Sequence, residues 1–297
     1  MKREYILSIS APDRPGIINA VSAYLAENNC IITESEQHTS YRGRSLLRLR
    51  FAVSNGAPAE KRSPDALQLM FNFEPVAAKF ELQWEIHQAS ARPKVLILVS
   101  REGHCLSDLL YRSESGNLGM ELAGIVSDHE DFNSLATWKD VRYHYLPVNA
   151  RNRADQETRL MSIVREERVD LVILAAYAPE LSAGLRRDLF GRCIAVKTDF
   201  IPAVEGAGRH ERAWELGVKL VGATAFYPLD KRDDGDEALP GEGVILEQTA
   251  GRVPPRATPA ELEQAGRAQE CLALAGAVKA HLERRIILDG RRAAIFQ

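Results

Sequence analysis

The chain has few cysteines, no long hydrophobic run and no large excess of charge of one sign. Its four cysteines contain no Cys-x-x-Cys pair, which argues against a disulfide framework and a zinc site. No apolar stretch reaches the roughly 18–20 residues of a membrane span. The formal net charge of −3 gives no basic field that would attract nucleic acid or an anionic membrane. The first residues are strand-like and differ from a signal-peptide core, so we expect a cytoplasmic protein without nucleic-acid or membrane partners.

The composition is sufficient for a large hydrophobic core. Hydrophobic residues make up 45% of the 297 residues and charged residues 27%, as in ordinary globular proteins. Since a domain typically has roughly 100–200 residues, the length predicts about two domains.

The first 88 residues predict a small α+β domain. Strand-like residues dominate four segments, and two helical patterns begin near Asp13 and Pro64. Asp13 is a good N-cap and Pro15 suits the first helical turn. The order is βαββαβ, the ferredoxin-like arrangement, with predicted strands at residues 4–10, 30–33, 45–53 and 80–86.

A polar, proline-bearing linker at residues 87–93 separates this domain from a second one, predicted at residues 93–297. Continuous apolar runs follow the linker, at residues 95–99, 122–126 and 171–175. Such runs are typical of strands that are buried on both faces, so they predict a parallel α/β sheet.

Residues 13–17, Asp-Arg-Pro-Gly-Ile, lie between the first strand and the first helix and resemble the signature of ACT domains. This resemblance implies an amino-acid effector near Asp13, Arg14, Pro15 and Gly16, because free N–H groups at a helix N-terminus can hold a carboxylate. ACT domains commonly pair, which implies a homo-oligomer. The alternative is that Asp13 only caps the helix and Pro15 only starts it.

Several segments of the second domain follow strand ends in a characteristic order: residues 100–110, 125–131, 174–181, 200–203 and 217–225. Together with the first domain, they resemble formyltetrahydrofolate deformylases, in which an ACT domain precedes a folate-dependent formyltransferase domain. The resemblance covers essentially the whole chain. It implies a doubly wound, mostly parallel sheet with a folate cleft at the strand ends. It also implies hydrolysis of 10-formyltetrahydrofolate to formate and tetrahydrofolate, and folate-binding positions at His104, Cys105, Leu106, Ser127, Asp128, His129, Ala175, Tyr177, Phe200 and Pro202.

The family's reaction uses an Asn that holds the developing oxyanion, a His that moves the proton and an Asp that orients the His. The Asn and His belong to an Asn-x-His-x-Ser-Phe-Leu-Pro pattern. Aligned on Phe200, this chain has Ala195, Lys197 and Asp199 at the Asn, His and Ser positions. Alanine has no side-chain donor, and losing one oxyanion donor typically costs about 10²–10³ in rate. Lysine is protonated at neutral pH unless it is strongly desolvated.

The third catalytic position has two candidates. Counting forward from Tyr227 gives Asp233, whereas counting back from the strand at residues 244–248 gives Gly241. The second count favours loss of the carboxylate, because the strand should fix the end of the loop.

Three hypotheses follow. The favoured one is a folate-binding homologue with impaired or altered hydrolysis. The second is an enzyme rebuilt around Lys197 and Asp199, which share one face of an extended segment; His210 and the acidic loop at residues 233–237 could reach that face. The third is a genuine deformylase concealed by an alignment gap. We expect no metal, because His104 and His129 lack partners at metal-binding spacing.

Overall fold

The computed structural model describes residues 3–54, 65–201, 208–231, 235–236, 238 and 241–297, without the side chains of residues 199–201. Contacts divide the chain into two compact units. The first unit comprises Met1–Ala91 and Glu283–Gln297, and the second comprises Arg92–Leu282.

The first unit contains a four-stranded antiparallel sheet in the order β2-β3-β1-β4. Two helices supply the other half of its core, in which Leu7, Phe51 and Phe73 are fully buried. The predicted ferredoxin-like order is confirmed: β1 Glu4–Pro12, α1 Ile17–Glu27, β2 Cys30–Thr39, β3 Arg44–Val53, α2 Ala66–Phe80 and β4 Gln83–Gln88.

Two local predictions in this unit are wrong. The last strand begins at Gln83 rather than at residue 80, because Phe80 is the last residue of α2 and Glu81 turns the chain with a left-handed backbone. Helix α1 begins at Ile17, and its N-cap is Gly16 rather than Asp13. Gly16 has a φ of 94°, a conformation that glycine adopts without steric cost. The preference of N-caps for residues such as Asp does not predict this backbone angle.

The C-terminal residues differ from the predicted division at 93–297. Strands β12 (Ile286–Asp289) and β13 (Arg292–Ile295) form a hairpin that belongs to the first unit. Ile287 and Phe296 pack on Leu46 of β3. The buried Arg48 donates hydrogen bonds to the carbonyl oxygens of residues 283 and 284, at 3.2 and 3.1 Å. The first unit therefore has a core that is completed from the far end of the chain.

We expect Phe296→Ala to destabilise the first unit by about 3 kcal/mol, because the truncation leaves a cavity beside Leu46 and Ile287. The measurement is denaturant-dependent hydrogen exchange of the β3 amides. The matched control is Ile295→Ala at the exposed neighbouring position, which should change the unfolding free energy by less than about 0.5 kcal/mol. Equal effects of the two substitutions would contradict this packing.

The second unit is built on a seven-stranded sheet in the order β11-β10-β9-β8-β5-β6-β7. Strands β9, β8, β5, β6 and β7 are parallel to one another, whereas β10 is antiparallel to both β9 and β11. This confirms the predicted doubly wound, mostly parallel α/β domain. Its elements are β5 Lys94–Val99, α3 His104–Glu114, β6 Glu121–Ser127, α4 Asn133–Trp138, β7 Tyr143–Tyr145, α5 Arg153–Glu166, β8 Leu171–Leu174, α6 Ala183–Asp188, β9 Cys193–Ile201, α7 Arg209–Glu215, β10 Leu220–Pro228, β11 Gly243–Arg252 and α8 Pro259–Leu282.

The central strand β5 lies between β6 and β8, so the strand order reverses at this point. In doubly wound sheets, ligands bind outside the carboxyl ends of the strands at such a switch point. The continuous apolar run that predicted β5 is explained by burial on both faces, since residues 95–99 have no exposed surface. None of the described helices is long and apolar enough to cross a membrane.

The edge strand β7 packs closely on β6 through Gly124. A side chain at Gly124 would begin 3.2 Å from the Arg142 carbonyl oxygen and 3.5 Å from the His144 ring. Burial lowers the pKa of His144 below its ordinary value of 6.5, Arg142 lowers it further, and Glu166 opposes both effects. The imidazole is therefore held in its neutral form.

This arrangement makes stability depend on pH. Because the pKa of His144 is lower in the folded state than in the unfolded chain, the unfolded chain takes up protons first and the free energy of unfolding decreases as the pH falls below 6.5. We expect His144→Gln to reduce this loss, measured by urea unfolding at neutral and at acidic pH. The exposed His38 provides the control, and a His38→Gln variant with the same effect as His144→Gln would contradict the assignment.

Candidate functional site

The hydroxyl group of Ser100 connects the carboxyl ends of β5, β6 and β8 at the switch point by hydrogen bonds. The buried Ser100, which follows β5, donates to a carboxylate oxygen of Asp128 after β6, at 2.6 Å. The same hydroxyl oxygen accepts a hydrogen bond from the amide of Ala178 after β8, at 2.9 Å. This network fixes the loops in which the candidate ligand-binding residues lie.

Several predicted folate-binding residues meet at this network. The Ser127 hydroxyl accepts a hydrogen bond from the His129 amide, and Nδ1 of His129 lies 3.1 Å from the Asp128 carboxylate. That contact lacks hydrogen-bond alignment, so it is an ion pair when the ring is protonated. Burial raises the pKa of Tyr177, and the negative charges of Asp128 and Glu157 raise it further. Tyr177 therefore stays a neutral phenol in this surrounding.

An open cleft of about 750 Å³ lies beside His129. It is lined by charged and aromatic side chains: Arg101, His129, Glu130, Asp131, Phe132 and Tyr145. The phenol of Tyr143 donates to the carbonyl oxygen of His129, which secures this wall of the cleft. Tyr177 lies in a separate small pocket against α5, with Leu146, Leu160 and Leu181. The structure thus connects the predicted residues after β6 and β8 by hydrogen bonds but gives them different pockets.

The three residues at the predicted catalytic positions of β9 have unequal environments. Ala195 is buried, pairs with Leu174 of β8 and lies opposite Phe226 of β10. Lys197 lies opposite Thr224 and is exposed to solvent. Asp199 lies opposite Gly222 in the strand register.

The loop before β11 returns to Lys197. A side chain at Gly241 would begin 3.3 Å from Cδ and 3.7 Å from Nζ of Lys197. Gly241 has a φ of 81°, which favours glycine. Of the two candidates for the third catalytic position, Gly241 therefore lies against Lys197, and Asp233 lies outside the described residues.

The predicted folate-binding residues of α3 contact α8 or are buried. His104 begins α3, and its Nε2 lies 2.7 Å from a carboxylate oxygen of Glu270 on α8. The Thr198 hydroxyl donates to the other carboxylate oxygen. Cys105 and Leu106 are fully buried. His210, which could reach the β9 face on sequence grounds, lies on α7, where burial and Arg209 lower its pKa.

Of two further predicted folate-binding positions, Ala175 directly follows β8 and Pro202 is not described. Ala175 is buried and its amide donates to the carbonyl oxygen of Leu98, so it holds β8 against β5. Pro202 lies outside the described residues, and so does the side chain of Phe200.

In the first unit, the predicted effector residues form an exposed turn. Asp13, Arg14, Pro15 and Gly16 are all solvent-accessible, and Arg14 pairs with Glu81 at 2.8 Å. The N-cap residue of α1 is Gly16, which has no side chain that could accept from the first amide groups of the helix.

Comparison with known proteins gives this geometry a family. A formyl transferase family model matches residues 93–278, and an ACT domain model matches residues 5–61. Formyltetrahydrofolate deformylases from Corynebacterium and from Bacillus subtilis are 36% and 37% identical, covering 99% and 98% of this chain and 98% and 93% of the relatives. The chain belongs to the formyltetrahydrofolate deformylase family.

A solved structure agrees with this membership. The crystal structure of the formyltetrahydrofolate deformylase from Burkholderia mallei superimposes with a TM-score of 0.90 at 37% identity, covering 99% of this chain and 100% of that chain. The resemblance inferred from the motifs is therefore confirmed for both parts of the chain.

Two residues of the deformylase-like unit were missed by sequence reasoning. Glu270 and Cys271 lie in the middle of α8, and Glu270 is 166 positions from His104. The helical stripe of α8 predicts only a packing face, and no local spacing links Glu270 to His104. Their proximity follows from the packing of α8 on α3 and β9.

We expect Ser100→Ala to destabilise the deformylase-like unit by about 1–3 kcal/mol, because it removes the hydrogen-bond donor to the Asp128 carboxylate and the acceptor of the Ala178 amide. Chemical unfolding measures the effect. Ser162→Ala is the control, since that exposed hydroxyl donates only to its own helix and should contribute less than about 0.5 kcal/mol. A Ser100→Ala effect as small as that of the control would refute the role of the network.

Proposed function

We propose that this chain binds 10-formyltetrahydrofolate or a closely related folate and hydrolyses it far more slowly than its relatives. The observation that carries the proposal is the grouping of Lys197 with Gly241, next to Ala195 on the same strand. These are the positions at which the family pattern has His, Asp and Asn.

The loss at each position removes a different part of the reaction. Ala195 offers a methyl group where the pattern has an amide donor for the oxyanion, a loss typically worth about 10²–10³ in rate. Lys197 is exposed and carries a cation where the pattern has a proton-transferring imidazole. Gly241 has no carboxylate to orient a base or a water molecule.

The binding part of the proposal is supported by the intact switch point. Ser127, Asp128 and His129 are joined to the loop of Tyr177 through the Ser100 hydroxyl. Ligands of doubly wound sheets bind at this position. The relatives are named formyltetrahydrofolate deformylases, which indicates the chemical class of the ligand.

The test of impaired hydrolysis is formate release from 10-formyltetrahydrofolate. We expect the wild-type chain to be slower than the Bacillus subtilis relative by about 10²-fold or more. The combined variant Ala195→Asn, Lys197→His and Gly241→Asp should release formate faster than the wild type. Wild-type formate release at the rate of the relative would refute impairment. If Lys197→Ala abolished that release, a rebuilt lysine site would replace our proposal.

The test of binding is calorimetric titration with 10-formyltetrahydrofolate and with 5-methyltetrahydrofolate. We expect saturable binding by the wild-type chain. The Ser100 hydroxyl holds the switch-point loops in place, and this does not require the Asn, His and Asp of the family pattern. His129→Gln should weaken binding, whereas His38→Gln in the first unit should not. No heat of binding with any reduced folate would refute the proposed ligand class.

We further propose an amino-acid effector at the turn of Asp13 to Gly16. The N-terminus of α1 has no side-chain cap, and such a terminus favours a carboxylate. A homo-oligomer formed through the ACT domain and a cytoplasmic location stay predictions.

A further inference from the structure

A cluster of metal-binding side chains lies between α3 and α8. His104, Cys105 and Glu270 each place one nitrogen, sulfur or oxygen atom within 4.8 Å of the others. Cys271 follows Glu270 on α8, and its thiol lies near that of Cys105. Thr198, which bonds Glu270, follows Lys197 on β9, and neighbouring residues of a strand face opposite sides. The cluster therefore lies on the side of β9 that is turned away from Lys197.

We propose that His104, Cys105, Glu270 and Cys271 bind one divalent cation of the zinc type. One imidazole nitrogen, two sulfurs and one carboxylate oxygen provide the four ligands of a tetrahedral Zn²⁺ site. Such a site needs ligand atoms at about 2.0–2.3 Å from the ion. The ligand atoms of His104, Cys105 and Glu270 lie within 4.8 Å of one another and would reach this spacing through small side-chain rotations, and the neighbouring Cys271 thiol would complete the set.

The donor set favours zinc over harder cations. Ca²⁺ and Mg²⁺ take oxygen ligands, whereas thiolate and imidazole select softer ions. The site is also shielded from water: Cys105 is fully buried, and the His104 and Glu270 side chains are 18% and 12% exposed. A shielded site of this kind strengthens the attraction between the cation and its ligands.

The surroundings orient the proposed ligands. The Thr198 hydroxyl donates to one oxygen of Glu270 while His104 contacts the other, as outer partners do in metal sites. Nδ1 of His104 is buried and, among the described residues, has no hydrogen-bond partner. A cation would satisfy this buried polar atom, and Glu270 would exchange its contact with the other ring nitrogen for the ion.

This site differs from the expectation of no metal that the sequence produced. That expectation rested on the absence of a local zinc spacing, whereas the four residues form two adjacent pairs on separate helices. The proposal can be tested without a folate, because it concerns the opposite side of β9 from Lys197.

The experiment is titration of the full-length, reduced, metal-free protein with Co²⁺ alone. We expect one equivalent to bind and to give the near-ultraviolet charge-transfer absorption of a cobalt–thiolate bond, which Zn²⁺ then abolishes by competition. Cys271→Ser should weaken Co²⁺ binding by about 100-fold. Cys30→Ser removes a thiol from the first unit and should leave the titration unchanged.

A second variant keeps the test decisive if loss of a cysteine disturbs folding. Glu270→Gln retains the size of the side chain and should weaken Co²⁺ binding while circular dichroism shows a folded protein. Absence of charge-transfer absorption in the reduced wild-type protein would overturn the proposal. The same result follows if Cys271→Ser and Glu270→Gln both bind Co²⁺ as tightly as the wild type does.

Discussion

The deformylase-like unit depends on one hydroxyl group that serves three strands. Ser100 donates to Asp128 and accepts from the amide of Ala178, so the carboxyl ends of β5, β6 and β8 are held in one arrangement. The loops after these strands are irregular, so their polar groups do not pair within a helix or a sheet. The Ser100 hydroxyl is the hydrogen-bond partner that they share. Because the strand order reverses at β5, the same bonds that satisfy the loops also define the edge at which a ligand can enter.

Much of the fold is predictable from sequence because burial on two faces leaves a simple pattern. Residues 95–99 and 171–174 are apolar without interruption, and all except Leu174 are buried, as is typical of strands covered on both faces. The hairpin at residues 286–295 has no local pattern that links it to the first unit, because its partner, Leu46, is remote in sequence. The N-cap of α1 was wrong for a different reason: the backbone angle of Gly16 decides it, and Asp13 only fits the composition of a cap.

The candidate site can be predicted where its residues belong to one continuous motif. It cannot be predicted where residues that are distant in sequence come together only in the folded protein. The segment around Ala195 and Lys197 could be aligned because it forms one strand, and the place of Gly241 follows from the start of β11. No such continuity connects His104 with Glu270, which meet only through the packing of α8. Strand β9 therefore has two chemically different sides: the family positions are altered on one, and a compact set of nitrogen, sulfur and oxygen donors occupies the other.

The assignment of Glu283–Gln297 to the first unit has a consequence for synthesis. Domains generally fold in order as the chain emerges from the ribosome. Here Leu46 and Arg48 obtain their partners from residues 283 to 296, which are made after the whole second unit. Most of the N-terminal unit is therefore translated before the second unit, and its packing is completed only after the second unit has been made.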